Sequence, residues 1–358
     1  MEFRYIIINI VAITSLQLLI FCFVRTLSWL FGWQKSTRKK VGWTLYLGIN
    51  SILLVPFLTP YKIFRPMAFI LVFLWFAFLI SLATLTLNKL SGWRLNALLR
   101  KVYPVAYLGL IGFALFNAYV PQAVHFSVKI DKPLKEPIRI GVASDTHLGI
   151  LFGAKQLDKL AEIFQQEKVD LILMPGDIMD DDTLAYEAEN MQSSLSKLAA
   201  PLGVYATLGN HDFFGQQQAI YQSIEQAGIK VLWDQAVEID GKFVIIGRND
   251  DLYRNRPTAE QILHNVNTAL PVFLMDHRPT DIVAHSQLPI DIQVSGHTHN
   301  GQIFPANFIV KMLNRLSYGY EKIGLGHYFV TSGYGFWGVP MRLGSRSEVF
   351  IIDVEGQR

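Results

Sequence analysis

IRIGVASDTH, residues 138–147, passes from alternating apolar residues into a short turn that carries an aspartate and a histidine. Ile138, Ile140 and Val142 recur at every second position, the period of a strand with one buried face. Asp145 and His147 follow where that strand runs out. The same arrangement returns four times downstream. Leu171–Met174 leads to Gly176-Asp177, and Val204–Leu208 to Gly209-Asn210-His211-Asp212. Val272–Met275 leads to His277, and Ile292–Ser295 to Gly296-His297-Thr298-His299. Segments of helical spacing lie between: Ala154–Glu167 with apolar Leu157, Leu160, Ala161 and Phe164, then Ala185–Leu198 and Gln217–Ala227. Further strands are expected at Lys230–Leu232, Phe243–Ile246, Tyr328–Thr331 and Glu348–Asp353. Strands alternating with helices predict a layered α/β domain over residues 126–358. Asp131–Pro137, with two prolines and mixed charge, reads as its linker or first edge.

Open α/β sheets place their ligands beyond the carboxyl ends of the strands. The five loops are therefore expected to converge on one edge. Residues two apart in extended backbone point the same way, which predicts that Asp145 pairs with His147 and His297 with His299. The candidate metal donors are Asp145, His147, Asp177, Asn210, His277, His297 and His299. Carboxylate, amide and imidazole together suit Mn, Fe, Zn or a similar divalent ion rather than a Ca or Mg cage. Two such ions, about 3.5–4 Å apart, clamp a phosphate and generate a nucleophile near neutral pH.

In order and in spacing, these five motifs resemble those of the calcineurin-like metallophosphoesterases, over roughly residues 138–353. The tail Gly333–Gly344, reading GYGFWGVPMRLG, is similar to the bacterial membrane-associated YkuE/YaeI-like branch. The resemblance implies a β-sandwich flanked by helices and two divalent metal ions. It implies that Asp145, His147, Asp177 and His299 hold one ion, and Asp177, Asn210, His277 and His297 the other, with Asp177 bridging. It further implies phosphoester hydrolysis by a metal-held hydroxide, with His211 at the phosphate and Asp212 orienting or protonating that imidazole. Asn300 departs from the glycine this branch often has there.

The N-terminal third has a different solvent. Only 17% of the chain is charged, against about 25% in a soluble domain, and the deficit falls mostly before residue 125. Mean hydropathy is +0.27. Four stretches lack charge altogether: Tyr5–Val24, Trp43–Tyr61, Met67–Asn88 and Val102–Val124. Each reaches or approaches the ~20 residues of a spanning helix. Residues 1–125 are thus expected to form a membrane domain of four transmembrane helices. Lys and Arg concentrate in the first loop (Arg25, Lys35, Arg38, Lys39, Lys40) and the third (Lys89, Arg94, Arg100, Lys101), which marks those loops as cytoplasmic. A multi-pass inner-membrane protein with an exported catalytic domain is expected. The uncharged spans favour an anchor over a transporter.

Net charge is +3, too slight to argue for a nucleic-acid partner. Cys22 is the single cysteine, which excludes an intrachain disulfide and a cysteine zinc cluster. His125, His264, His285 and His327 match no motif and read as structural. Asp180-Asp181-Asp182 reads as a solvated loop, Asn249-Asp250-Asp251 as a turn, and Arg342 and Arg346 as substrate contacts or partners of Glu348. Ile303–Leu316 admits two readings, a helix covering the core or a membrane-facing element with Lys311 and Arg315 at the headgroups. The expected function is a membrane-anchored phosphoesterase or phosphodiesterase, possible substrates including a lipid or lipid-linked phosphate. The alternatives are a pyrophosphohydrolase of a lipid-bearing nucleotide-sugar and a non-catalytic membrane scaffold.

Overall fold

A computed structural model describes residues 2–55 and 64–357 of the 358-residue chain. The chain divides into two compact units, Met1–Phe113 and Ala114–Arg358.

Helices α1 (Glu2–Phe31), α2 (Lys35–Ile52), α3 (Phe64–Leu90) and α4 (Asn96–Tyr119) account for the N-terminal third. Among the described residues three helices, rather than the expected four, are long and apolar enough to cross a bilayer: Ile10–Phe31, Phe64–Leu90 and Asn96–Tyr119. The difference lies in α2. It opens on Lys35, Arg38, Lys39 and Lys40, which lower its hydropathy, and it is only 18 residues long. The last part of the expected span Trp43–Tyr61, residues 56–61, lies outside the described residues.

Polar pairs fix the directions of these helices. Gln17 and Asn50 exchange side-chain hydrogen bonds of 2.9 and 3.1 Å, so α2 folds back along α1. The Tyr103 hydroxyl donates to Ala77 O at 3.0 Å and Tyr107 to Phe73 O at 3.1 Å, which pairs α4 antiparallel to α3. Thr26 and Ser81 hydroxyls, 2.8 Å apart, join α1 to α3. Trp29 Nε1 donates to Asn96 Oδ1 at 2.8 Å, which brings the end of α1 to the start of α4.

In the second unit twelve strands, counted among the described residues, form two six-stranded sheets. They are β1 (Gln122–Pro133), β2 (Ile138–Val142), β3 (Leu171–Pro175), β4 (Val204–Thr207), β5 (Lys230–Val231), β6 (Gln235–Ile239), β7 (Phe243–Arg248), β8 (Val272–Asp276), β9 (Ile292–Ser295), β10 (Gly319–Ile323), β11 (Gly326–Val330) and β12 (Glu348–Gln357). One sheet has the order β1-β12-β2-β3-β4-β5 and the other β10-β11-β9-β8-β7-β6. Strands β2 to β5 are parallel, as are β7, β8, β9 and β11.

Strand periodicity divides the core into layers. Ile138, Ile140, Val142, Leu171 and Leu173 meet Phe273, Met275, Ile292 and Val294 in one core cluster between the sheets. The alternate residues Ala143, Ile172 and Met174 face outward onto Leu157, Leu160 and Phe164 of the helix Ala154–Glu167. A sheet buried on both faces carries near-continuous apolar runs, and β3 is buried at every position. Strands β1, β6 and β10, which alternate polar and apolar residues or stay half exposed, were not expected from the sequence. The first part of Asp131–Pro137 continues β1, and Ala185–Leu198 contains two short helices, Leu184–Ala188 and Gln192–Leu195.

Candidate metal centre

Every expected donor lies just past the carboxyl end of β2, β3, β4, β8 or β9. The structure gathers them. Asp145, His147 and His299 form one group with ligand atoms within 4.8 Å of one another, and Asp177, His277 and His297 form a second. Asp177 also groups with His147 and His211, so its carboxylate faces both clusters. His147 Nε2 lies 3.1 Å from His299 Nε2 and 3.7 Å from Asp177 Oδ2. His299 Nε2 lies 3.5 Å from Asp145 Oδ1. His277 Nε2 lies 3.2 Å from both Asp177 Oδ2 and Asn210 Oδ1.

The convergence does not come from strand alternation. Asp145, His147, Asp177, His297 and His299 all have φ between +43° and +68°, the left-handed region that L residues rarely occupy. These five donors are turned inward by the loops that carry them. Asn300, at φ +47°, occupies a conformation that glycine favours and asparagine tolerates, which accounts for its departure from the family pattern. Two glycines are required for close approach. A Cβ on Gly209 would strike the Asp177 carboxylate, and one on Gly296 the Asp145 carboxylate and Ser144 Oγ.

The electrostatics suit cations. Burial pushes His147 and His297 down to about 3 and holds His299 well below its ordinary value. Those imidazoles are therefore neutral, the form that ligates metal. His277 Nδ1 donates to Pro175 O at 2.8 Å, which fixes the ring and aims Nε2 at two oxygens, as an orienting partner does for a metal-binding histidine. Burial opposes charge on His277, but Asp177, Asp145 and Asp250 outweigh it and push it up to about 10. Burial opposes charge on Asp177 too, yet His277, His147 and His211 hold it below the usual carboxylate range. Burial raises Asp145 to about 6. Close-set carboxylates, the neutral imidazoles of His147, His297 and His299, and the His277 ring turned on Asp177 and Asn210 fit two divalent ions.

Asp212 differs from its expected place. Its carboxylate accepts from the backbone N–H groups of Ile178, Met179 and Gly209 at 2.9–3.2 Å, so it braces the loop of Asp177. The group beside the His211 ring is Asp181, with Oδ1 2.6 Å from Nδ1, and Asp180 lies 3.7 Å away. The Asp180–Asp182 loop is thus part of the site. Arg342 also departs from expectation. It is fully buried, and its Nη2 donates to the carbonyls of Ser332, Gly333 and Gly335 and lies 3.3 Å from His299 Nδ1. Arg346 donates to Val120 O. Glu348 takes hydrogen bonds from Ser332 N, Thr331 and Tyr318. Asp250 is buried against Arg278, next to His277, at 2.5 and 2.9 Å. Asp276, Asp281 and His285 together enclose the Arg248 guanidinium.

The calcineurin-like phosphoesterase family pattern matches residues 138–301, a span that takes in all five loops. An uncharacterized metallophosphoesterase of Aquifex aeolicus (strain VF5) is 30% identical over 255 residues, 68% of this chain and 96% of that protein. The chain belongs to the calcineurin-like metallophosphoesterases. The uncharacterized metallophosphoesterase YkuE of Bacillus subtilis (strain 168) is 29% identical over 220 residues, 59% of this chain and 77% of its own length. A transmembrane protein with metallophosphoesterase domain from Bos taurus is 28% identical over 257 residues, 66% of this chain and 57% of its own. As a member of this family the protein is a metal-dependent phosphoester hydrolase of the dimetal kind.

Proposed function

We propose that this metallophosphoesterase hydrolyses a phosphoester bond of a lipid or lipid-linked phosphate, at a binuclear centre held by the seven donors named above. The observation that carries the reading is the position of Asp177, which groups with His277 and His297 on one side and with His147, a donor of the other cluster, on the other. One carboxylate with two oxygens serves two cations. Asp145, His147, Asp177 and His299 would hold one ion, and Asp177, Asn210, His277 and His297 the second. When bound, two such ions clamp a phosphate and supply the nucleophile. His211 meets the phosphate. Its Nδ1 donates to Asp181, which leaves Nε2 to donate to a phosphoryl or leaving oxygen. Burial opposes a proton on that ring, and Asp181, Asp177 and Asp180 outweigh it.

The lipid part of the reading is supported by three membrane-length helices in the same chain. The exported side is supported by the hairpin directions. The start of α2 carries Lys35, Arg38, Lys39 and Lys40. The end of α3 carries Lys89, and the turn before α4, which holds Arg94, is tied to α1 through Trp29 and Asn96. Both basic turns then lie at one end of the bundle, the cytoplasmic one by charge, and the chain leaves α4 at the other. A reporter fused at the C-terminus checks the side. An active cytoplasmic reporter overturns it and favours the nucleotide-sugar pyrophosphohydrolase.

The test of the activity is the purified full chain in detergent, with Mn added, against lipid and water-soluble phosphoesters. Hydrolysis that chelation abolishes and Asp177→Asn lacks is expected. Turnover unchanged in Asp177→Asn overturns the assignment and revives the scaffold reading.

A further inference from the structure

Five residues separate helix Ala306–Leu313 from the end of the last donor loop, Gly296–Asn300, and the apolar side of the helix is turned to solvent. Phe308 and Ile309 are 58% and 55% exposed, and Met312 and Leu313 are 86% and 76% exposed. These four positions share one helix face. No residue of the helix is buried, so the helix does not cover the core. Four large apolar side chains contiguous on one face mark an interaction surface rather than scattered exposure.

Chain connections within the second unit say what covers it. Phe304 N donates to Leu343 O at 2.6 Å, and Leu343 N donates to Gln302 O at 2.9 Å. The next residue back, Arg342, donates its backbone N–H to Ala114 O at 2.9 Å and accepts from Asn117 Nδ2 at 3.2 Å. Ala114 and Asn117 lie in the last turns of a helix long and apolar enough to span a bilayer. The segment that anchors the exposed helix is therefore hydrogen-bonded to the emerging end of that span. Lys311 is also exposed on the helix, as a basic residue beside the apolar face of an interfacial helix would be.

We infer that Ala306–Leu313 is an interfacial helix that seats Phe308, Ile309, Met312 and Leu313 in the bilayer from which the chain emerges. A connection runs from this surface to the reacting centre. Gln302, between His299 and the helix, holds Trp337 through Nε2 to its carbonyl and Oε1 to its N–H, both at 3.0 Å. The Trp337 ring lies 5.9 Å from that of His211. A headgroup phosphoester at the membrane surface thereby reaches the donor loops without leaving the lipid. This last step rests on the lipid-phosphate reading. The seating of the helix does not.

Two measurements on the full chain in lipid nanodiscs test it. In a Cys22→Ser background, an environment-sensitive fluorophore is placed at Met312→Cys and, as a control, at Val283→Cys, where the side chain is 59% exposed. Quenching of the Met312 probe by spin-labelled lipid, with protection from aqueous iodide, is expected, and the reverse at Val283. Equal iodide quenching at both positions overturns the inference. Second, Phe308→Asp with Met312→Asp is expected to lower hydrolysis of a phosphodiester lipid carried in the nanodisc about tenfold or more, with bis(4-nitrophenyl) phosphate hydrolysis unchanged. Equal rates on the nanodisc lipid in the wild type and the double variant overturn the role in access. A wild-type protein that turns over the soluble ester but no lipid refutes the lipid-substrate reading alone, because the probe still reports where the helix sits.

Discussion

Asp181 Oδ1 stands 2.6 Å from His211 Nδ1, while Asp212, the next residue along the chain from His211, turns its carboxylate to three backbone N–H groups. The two acids do different work, and substitution separates them. Asp181→Asn keeps the hydrogen-bonding shape but removes the charge that orients the imidazole. It is expected to lower kcat on a soluble diester about 10–100-fold with both metals retained. Asp212→Asn disturbs the backbone around Asp177 instead. It is expected to lower metal content and melting temperature together. Metal analysis beside steady-state kinetics distinguishes the two.

Gly209 and Gly296 bring backbone against the carboxylates of Asp177 and Asp145, one beside the bridging donor and one beside the first donor. Gly209→Ala and Gly296→Ala are each expected to abolish metal-dependent turnover by displacing a carboxylate. Their far-UV circular dichroism should match the wild type. A glycine variant that binds both ions at wild-type affinity would show that the loops yield more than a packed interior does.

The donor set was legible in the sequence because it sits at the ends of apolar runs whose period marks them as strands. What the sequence hid was the means of convergence. Asp145 and His147 were expected to align by strand alternation, but both have left-handed φ, and no residue-type pattern announces an aspartate or histidine in that conformation. Asp181 was hidden because a run of three aspartates looks the same in solvent as beside an imidazole. Arg342 was hidden because its partners are carbonyls, which leave no mark on sequence. In the membrane third, the uncharged runs Met67–Asn88 and Val102–Val124 fall largely in the helices Phe64–Leu90 and Asn96–Tyr119, although residues 122–124 of the second belong to β1. Trp43–Tyr61 lies partly outside the described residues, and the helix that carries its first part opens on basic residues.

His285 is buried between Arg248, whose Nη1 lies 3.3 Å from Nε2, and Gln293, whose Oε1 lies 2.8 Å from Nδ1. Burial lowers its pKa below the ordinary 6.5. Arg248 and Arg256 add to that effect, and the Gln293 hydrogen bond and Asp281 oppose it. The native protein thus binds the proton less readily than the unfolded chain. Stability contributed by the neutral ring is full above about pH 6.5 and declines as pH falls through that value toward the lower folded pKa. His285→Gln is expected to flatten this part of the stability profile. Melting temperatures between pH 7.5 and 5 check it, and a slope unchanged by the substitution would assign the decline to other groups.

The end of α4 belongs to the hydrolase unit, and this predicts where the chain can be cut. Asn117 O accepts from Ser347 N, and its amide donates to Arg342 O, while Ala114 O accepts from Arg342 N. Tyr119 donates to Leu151 O and packs its ring on Phe152 and Phe336. Arg342 in turn caps three carbonyls of the Ser332–Gly335 loop, whose Tyr334 and Gly335 N–H groups donate to Ser144 O and Asp145 O. A fragment that begins at Gln122 loses the first links of this chain of contacts and takes away the partners of the Arg342 and Ser347 N–H groups and of the Arg342 and Leu151 carbonyls. It is expected to melt several degrees lower and to bind metal more weakly than a fragment that begins at Ala114. Arg342→Met in the full chain should reproduce the effect from the other side. Arg342→Lys keeps the charge but has one nitrogen where the planar guanidinium uses Nη2 for the three carbonyls and Nη1 for Ser345 Oγ, so it should restore only part of the loss. If the two fragments melt alike and Arg342→Met retains its metals, the helix end is a tether and not part of the scaffold of the site.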